Sequence, residues 1–308
     1  MATTETYSGN FEGRKAAGYI APALYGGRTL MSGVPHVTVH ENIKYKLNVR
    51  NFDISDDVVQ DDSCDFTPTS TITNSDTVLQ LKELKTNLQL CFDKWYPEWE
   101  AEQIRGSRLD GSPPREWMDF LMDRLNARVA NRIERLVWQG ADDTNEFEGF
   151  ISRLGAPDIV NTAITQANVL AEMTKIYNEV SKDVKDQRNE LNVKMVVSQN
   201  VKDAHQLALA GTNDGQGYEI KGTVGEKPQN FMGFEFVSLP GLPDDTMIVY
   251  PQGDLHFGTN LLTDLTNVEV VDTRKTLADN NLRVVMRYAA GTQVTNRTNI
   301  TYYGASIS

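Results

Sequence analysis

The stretch REWMDFLMDRLNARVANRIERLVWQG constrains this chain more than any other, because it commits a long run of residues to one element. Trp117, Phe120, Leu121, Leu125, Val129, Ile133, Leu136 and Val137 recur at three- and four-residue spacing, which makes one apolar stripe on a helix of 3.6 residues per turn. Ser112-Pro113-Pro114 supplies the start and Gly140 the stop. A hydroxyl can cap the first turn, where the missing proline N–H groups cost nothing, and glycine ends a helix cheaply. The spacing predicts a helix over 113–139 of about 26 residues, roughly 39 Å long. That is a structural beam, and the other elements have to be laid along it.

Two alternating segments precede the beam. HVTVHENIKYKLNVRNF at 36–52 and TITNSDTVLQLKELKTNLQLCF at 71–92 place apolar and polar residues in turn and are rich in β-branched side chains, as half-buried strands are. The acidic stretch 53–70 joins them, so 36–92 reads as a β-hairpin of about 55 residues, far longer than common hairpins. With so little apolar content it cannot form its own core and needs another molecule to lie on. Residues 1–35, rich in Gly, Ser, Thr and Ala without a sustained period, read as an extended arm. After the beam comes a helical pattern at about 163–187, striped by Ile164, Val169, Leu170, Met173, Ile176, Tyr177 and Val180. A buried strand at 191–198 and a helix QNVKDAHQLALAG closed by Gly211 follow. Strand-like runs then occupy 218–224, 231–239, 246–250, 268–274, 282–290 and 298–303, an α+β order without internal repeats.

Composition excludes several classes of function. The 308 residues are 40% hydrophobic, enough for an ordinary core. Against 30 Lys and Arg stand 42 Asp and Glu, a formal charge of −12, so a surface gripping phosphates over its whole extent is not expected. Cys64 and Cys91 make no disulfide framework or zinc pattern and read as free thiols of a protein made inside the cell. MATTETYSGN lacks the basic and apolar regions of a signal peptide, and AAGYIAPALYGG at 16–27 is too short and broken to span a bilayer. A soluble protein is expected, in which the sequons at Asn296 and Asn299 stay idle.

The strongest chemical candidate is CFDKWYPEWEAEQIRG at 91–106, where Trp95 and Trp99 interleave with Glu98, Glu100 and Glu102. Glycoside hydrolysis needs two carboxyl groups about 5 to 10 Å apart across a cleft. A helix starting at Pro97 would put Glu98 and Glu102 on one face and Glu100 elsewhere, and acidic residues already suit a first helical turn by completing the helix dipole. A joint reading therefore outweighs a sugar site: Trp95, Tyr96 and Trp99 anchor by burial, while the glutamates face Arg105, Arg108 or a neighbour's cation. His36 and His40 would stand roughly 13 Å apart on a strand, too far to share a metal, and His205 and His256 stand alone. GTNDGQGYEIKG matches no phosphate-binding spacing and reads as a mobile loop, and DISDDVVQDDSCD lacks the Gly and terminal Glu of a calcium loop. No catalytic, cofactor-binding or metal-binding residue is assigned, and no enzyme is expected.

Arm, hairpin, beam, α+β module and late strands, in that order, resemble the major capsid proteins of tailed bacteriophages, the Hong Kong 97-like fold. The capped helix at 113–139 resembles that family's spine helix. VKMVVSQNVKDAHQLA at 193–208 resembles a strand-to-helix unit of its axial domain, and FMGFEFVSLPGLPDDTMIVYPQGDLHFGTN at 231–260 carries the rest. The resemblance implies an N-terminal arm over 1–35, an extended hairpin loop over 36–92, a peripheral domain over 93–160, an axial domain over 161–260 and strands returning to the core over 261–308. It implies a shell of pentamers and hexamers around packaged double-stranded DNA, located in the virion and made in the host cytoplasm. A portal, a separate scaffolding protein and a decoration protein are its implied partners, with no membrane. Because Met1 is followed almost at once by the arm-like stretch, no large cleaved segment is expected. Lys44, Lys46, Arg50, Trp95, Glu98, Trp99, Glu100, Arg105 and Arg108 are the expected intersubunit contacts. Some family members cross-link through a hairpin lysine; among Lys44, Lys46, Lys82 and Lys85 nothing singles one out, so non-covalent contacts are expected. The alternatives are an encapsulin-like compartment and, from a different class, a polysaccharide-binding or cleaving protein using the cluster at 95–102.

Overall fold

The computed structural model describes residues 9–12, 14–30, 37–54, 59, 61, 71–91, 115–211, 229–260, 267–273, 279 and 281–305. In chain order the elements are β1 (Gly9–Glu12), a helix Arg14–Tyr25, β2 (Thr38–His40), β3 (Lys46–Ile54), β4 (Ile72–Gln80), β5 (Lys82–Cys91), the long helix Arg115–Gln139 and a short helix Phe150–Leu154. There follow β6 (Ile159–Val160), helices Val169–Glu179 and Lys182–Asp186, β7 (Lys194–Val197), a helix Gln199–Gly211, β8 (Gln229–Phe231), β9 (Phe234–Ser238) and β10 (Met247–Tyr250). The chain continues through β11 (Leu255–Thr259), β12 (Asn267–Asp272), β13 (Asn281–Val294), a 3₁₀ turn Arg297–Asn299 and β14 (Thr301–Gly304). No helix among the described residues is long and apolar enough to cross a membrane.

One sheet is ordered β1-β12-β13-β11-β2, with β5 also paired to β13; a second is ordered β6-β14-β10-β7-β9-β8; β3 and β4 form a ribbon of their own. Two cores result. In the first, Val129, Ile133, Leu136, Val137 and Trp138 of the long helix pack with Leu255, Phe257, Val268, Val284 and Met286 of the first sheet. In the second, Val169, Met173 and Ile176 pack with Met195, Val197, Val201, Phe234 and Phe236. The second sheet divides them. Ile248, Tyr250 and Tyr302 enter the first core, and their neighbours Met247, Val249 and Tyr303 enter the second. Covered on both faces, β7, β10 and β14 are buried at every position, which is why KMVV, MIVY and TYYG read as continuous runs without alternation.

The structure changes several expectations. The arm over 1–35 is not extended throughout: Arg14–Tyr25 is helical. Ile20, Ala23 and Leu24 are buried against the long helix, an i, i+3, i+4 face hidden in the sequence by Pro22 and by Gly18, Gly26 and Gly27. The hairpin is shorter than 36–92. β3 and β4 alone make the ribbon, while β2 pairs parallel with β11 and β5 lies antiparallel along β13. The helix expected at 163–187 is two helices, because Val180 turns to φ −54°, ψ 134° and the Ser181 side chain caps the second by accepting from Val184 N–H. The strand expected at 231–239 is a hairpin, since Met232 and Gly233 both take positive φ (48° and 90°), the backbone of a two-residue turn between antiparallel strands. In the second sheet β7 lies between β9 and β10. The strand expected at 218–224 and the loop GTNDGQGYEIKG lie outside the described residues, apart from Gly211 at its head.

Candidate functional site

The ribbon has the least support from its own chain. β3 and β4 contribute nine residues each, from Lys46↔Gln80 to Ile54↔Ile72, about 30 Å of paired strand. Tyr45, Ile72 and Val78 are exposed, as are Lys44, Lys46, Asn48, Arg50, Asp76 and Gln80. A two-stranded ribbon is marginal alone.

Its base is held in a socket. Gly258 of β11 and Gly291 of β13 face each other in register, so the sheet has a dent two side chains wide. A Cβ at Gly258 would meet Ile43 Cδ1 and Leu79 Cδ2 at 2.8 Å and Leu81 Cδ2 at 3.0 Å. At Gly291 it would lie inside contact distance of the Gln80 carbonyl oxygen. Leu79 is wholly buried there. Backbone bonds fasten the rim: Ile43 N–H to Thr259 C=O (3.2 Å) and Leu81 N–H to Tyr45 C=O (3.2 Å). Gln293 Nε2 donates to Val78 C=O at 3.1 Å, and Lys82 Nζ donates to Asp142 Oδ1 at 2.9 Å.

A second joint ties the arm to the long helix. Trp138 Nε1 donates to Thr29 Oγ1 at 2.7 Å, and Thr29 donates its hydroxyl to Glu134 Oε1 (2.5 Å) and its N–H to Glu134 Oε2 (3.0 Å). Glu134 is 4% exposed; burial raises its pKa, opposed by the Thr29 hydrogen bonds and Arg28. Gly241, in the turn leading to β10, packs on the same turn of helix, where Gln139 Nε2 donates to its carbonyl at 2.6 Å. The arm, the beam and the turn leading to β10 therefore meet at Trp138.

β2 brings together two histidines that stand far apart in the sequence. His40 Nε2 and His256 Nδ1 are 3.1 Å apart, and His256 is pushed down to about 4, first by burial and then by His40. Nearby, burial pushes Asp254 up to about 6. A carboxyl raised when folded takes up its proton more readily than in the unfolded chain. Its stabilising share is complete below the unfolded value and is lost as pH rises through about 6. Asp254→Asn is expected to raise stability by about 1 kcal/mol at pH 8, discounted for partial contact with solvent, and by nothing near pH 3. Urea titrations at the two pH values measure this.

Of the expected contact residues, the structure places Lys44 beside the ribbon's foot and Lys46 and Arg50 on it, all exposed. Trp95, Glu98, Trp99, Glu100, Arg105 and Arg108 lie outside the described residues. Among those described, no three His, Cys, Asp or Glu side chains gather as a metal would require. Sequence reasoning missed Gly258, Gly291, Thr29 and Glu134. Lone glycines inside strand patterns were the available signal, since they mark close backbone approach; nothing marked Thr29.

Residues 115–301 match the model of the phage capsid family. Among solved structures, the chain is similar to the satellite phage P4 procapsid with its size determination protein, at 8% identity and TM-score 0.59 over 94% of this chain and 92% of that one. It is similar to the capsid of a native GTA particle, at 12% identity and TM-score 0.57 over 98% and 94%. It is also similar to the capsid of cyanophage A-1(L), at 14% identity and TM-score 0.52 over 100% and 96%. No protein of curated function matches the sequence significantly.

Proposed function

Because the chain belongs to the phage capsid family and has the Hong Kong 97-like fold, we propose that it forms pentamers and hexamers of an icosahedral head around double-stranded DNA. The observation that carries this reading is the ribbon: a long two-stranded element, locked at its base and exposing Lys46, Asn48, Arg50, Ile72, Asp76 and Val78, suits contact with a neighbouring copy. The first core then serves as the peripheral body and the second as the axial domain. Lys44, Lys46 and Arg50 are assigned to contacts between copies. A separate scaffolding protein, a portal and a decoration protein complete the particle in this reading, and it has no catalytic role.

Expression of the full chain followed by electron microscopy tests the proposal. Closed shells, tubes or rings are expected, and a stable monomer that turns over polysaccharide would overturn it. Duplex DNA extracted from native particles supports a virion, whereas particles holding an enzyme and no genome would replace the head with a compartment. Tyr45→Ser combined with Ile72→Ser is expected to change subunit stability by less than about 0.5 kcal/mol, since both side chains are exposed. Shell yield should nevertheless fall at least tenfold by particle counting; undiminished yield would remove the ribbon from the interface.

A further inference from the structure

One face of the long helix carries a charge pattern at odds with the acidity of the whole. Arg124, Arg128, Arg132 and Arg135 are all exposed. At 100° per residue they fall within about 80° of the helix circumference and span about 16 Å along its axis. The arc lies opposite the stripe of Val129, Ile133 and Val137 that enters the first core. Asn131 adjoins it, and Asp123 lies about 100° away round the helix. Glu146 pairs with Arg132, and Arg128 and Arg135, exposed beside that pair, leave a cationic excess.

The chemistry of the ridge selects its occupant. Protein interfaces gain most of their affinity from a buried apolar centre, yet the exposed large apolar side chains among the described residues all lie elsewhere, on or near the ribbon, at Val160, at Leu207 and Leu209, and at Met232. Guanidinium groups suit phosphate oxygens, which they bind with paired donors. Duplex DNA carries about one charge per 3.4 Å of each strand, so about 16 Å of ridge runs beside roughly five phosphates of one strand. We propose that Arg124, Arg128, Arg132 and Arg135 form a sequence-independent track for the phosphate backbone of the enclosed duplex. This rests on the capsid reading and sharpens it. A chain of charge −12 repels DNA over most of its surface and holds it weakly along one line, which orders the outermost layer without gluing it to the wall.

The test uses unassembled full-length subunits and a random-sequence duplex, with binding followed by fluorescence anisotropy across salt concentration. Arg128→Gln with Arg135→Gln removes two cations, so the slope of log K against log salt is expected to shrink by about 1.8, at about 0.9 per phosphate contact. Removing two exposed cations elsewhere, Lys85→Gln with Lys182→Gln, should leave the slope unchanged. An unchanged slope in the arginine pair, an equal loss in the lysine pair, or no duplex binding by the parent chain at low salt would each overturn the track. If the arginine pair loses binding to polyglutamate but keeps the duplex, the ridge takes an acidic protein and the DNA assignment falls. Microscopy of the same chains after assembly separates the two readings. Shells with an unchanged slope sink the track alone, whereas a parent chain forming no shells sinks the capsid proposal.

Discussion

Gly291→Val is expected to abolish shell formation while leaving a folded subunit. The new side chain would press on backbone, the Gln80 carbonyl and, at 3.4 Å, Leu81 Cα, and backbone in a paired strand cannot step aside as a flexible side chain can. The strain is of the order of 3 kcal/mol, and the least costly relief is for the base of the ribbon to lift from its socket. Hydrogen exchange should accelerate in β4 and at Leu81, and particles should vanish from micrographs. Gly258→Ala meets only the ends of Ile43, Leu79 and Leu81, so about 1 kcal/mol and partial assembly are expected. Normal shells from Gly291→Val would show that the socket does not set the ribbon's position.

Trp138→Ala should give the largest loss of stability. The side chain is wholly buried, its ring lies 5.2 Å from that of Phe150, and its N–H holds Thr29. Truncating a buried Trp costs about 3–5 kcal/mol. Trp138→Phe keeps most of the packing and loses one hydrogen bond, about 1 kcal/mol. Calorimetry of the pair separates cavity from hydrogen bond; equal losses would mean that the Thr29 link, and not the packing, holds the joint.

The local elements were largely readable. The beam was found to the residue at its end, Gln139, because the apolar period stops at Gly140, and VKMVVSQNVKDAHQLA gave both β7 and the helix after it because a short apolar run and a helical stripe follow each other there. What failed was partnership. β2, β3, β4 and β5 share one alternating pattern, yet only β3 and β4 pair with each other; β2 and β5 go to strands roughly 200 residues further along. Alternation states which residues share a face and says nothing of which strand lies alongside. The arm helix failed for a related reason, since its three buried residues matter only against the long helix. The contact residues were readable only as exposed charges: Lys44, Lys46 and Arg50 carry nothing in their local spacing that distinguishes a solvated side chain from one awaiting a neighbour.

β13 pairs with β12 over Leu282–Arg287, with β11 over Ala290–Val294 and with β5 over Asn281–Ala290. Through these it anchors β1 and β2 as well. A ribosome therefore emits arm, ribbon and beam long before the strand that fixes them exists. Until the residues of β13 emerge, β5 has no ladder and Gly291 has not formed its half of the socket, so the ribbon of a nascent chain has no fixed direction in which to reach. Production of the subunit thus carries its own timing. The surfaces by which copies would meet in the proposed shell acquire their geometry only once β13 has been made.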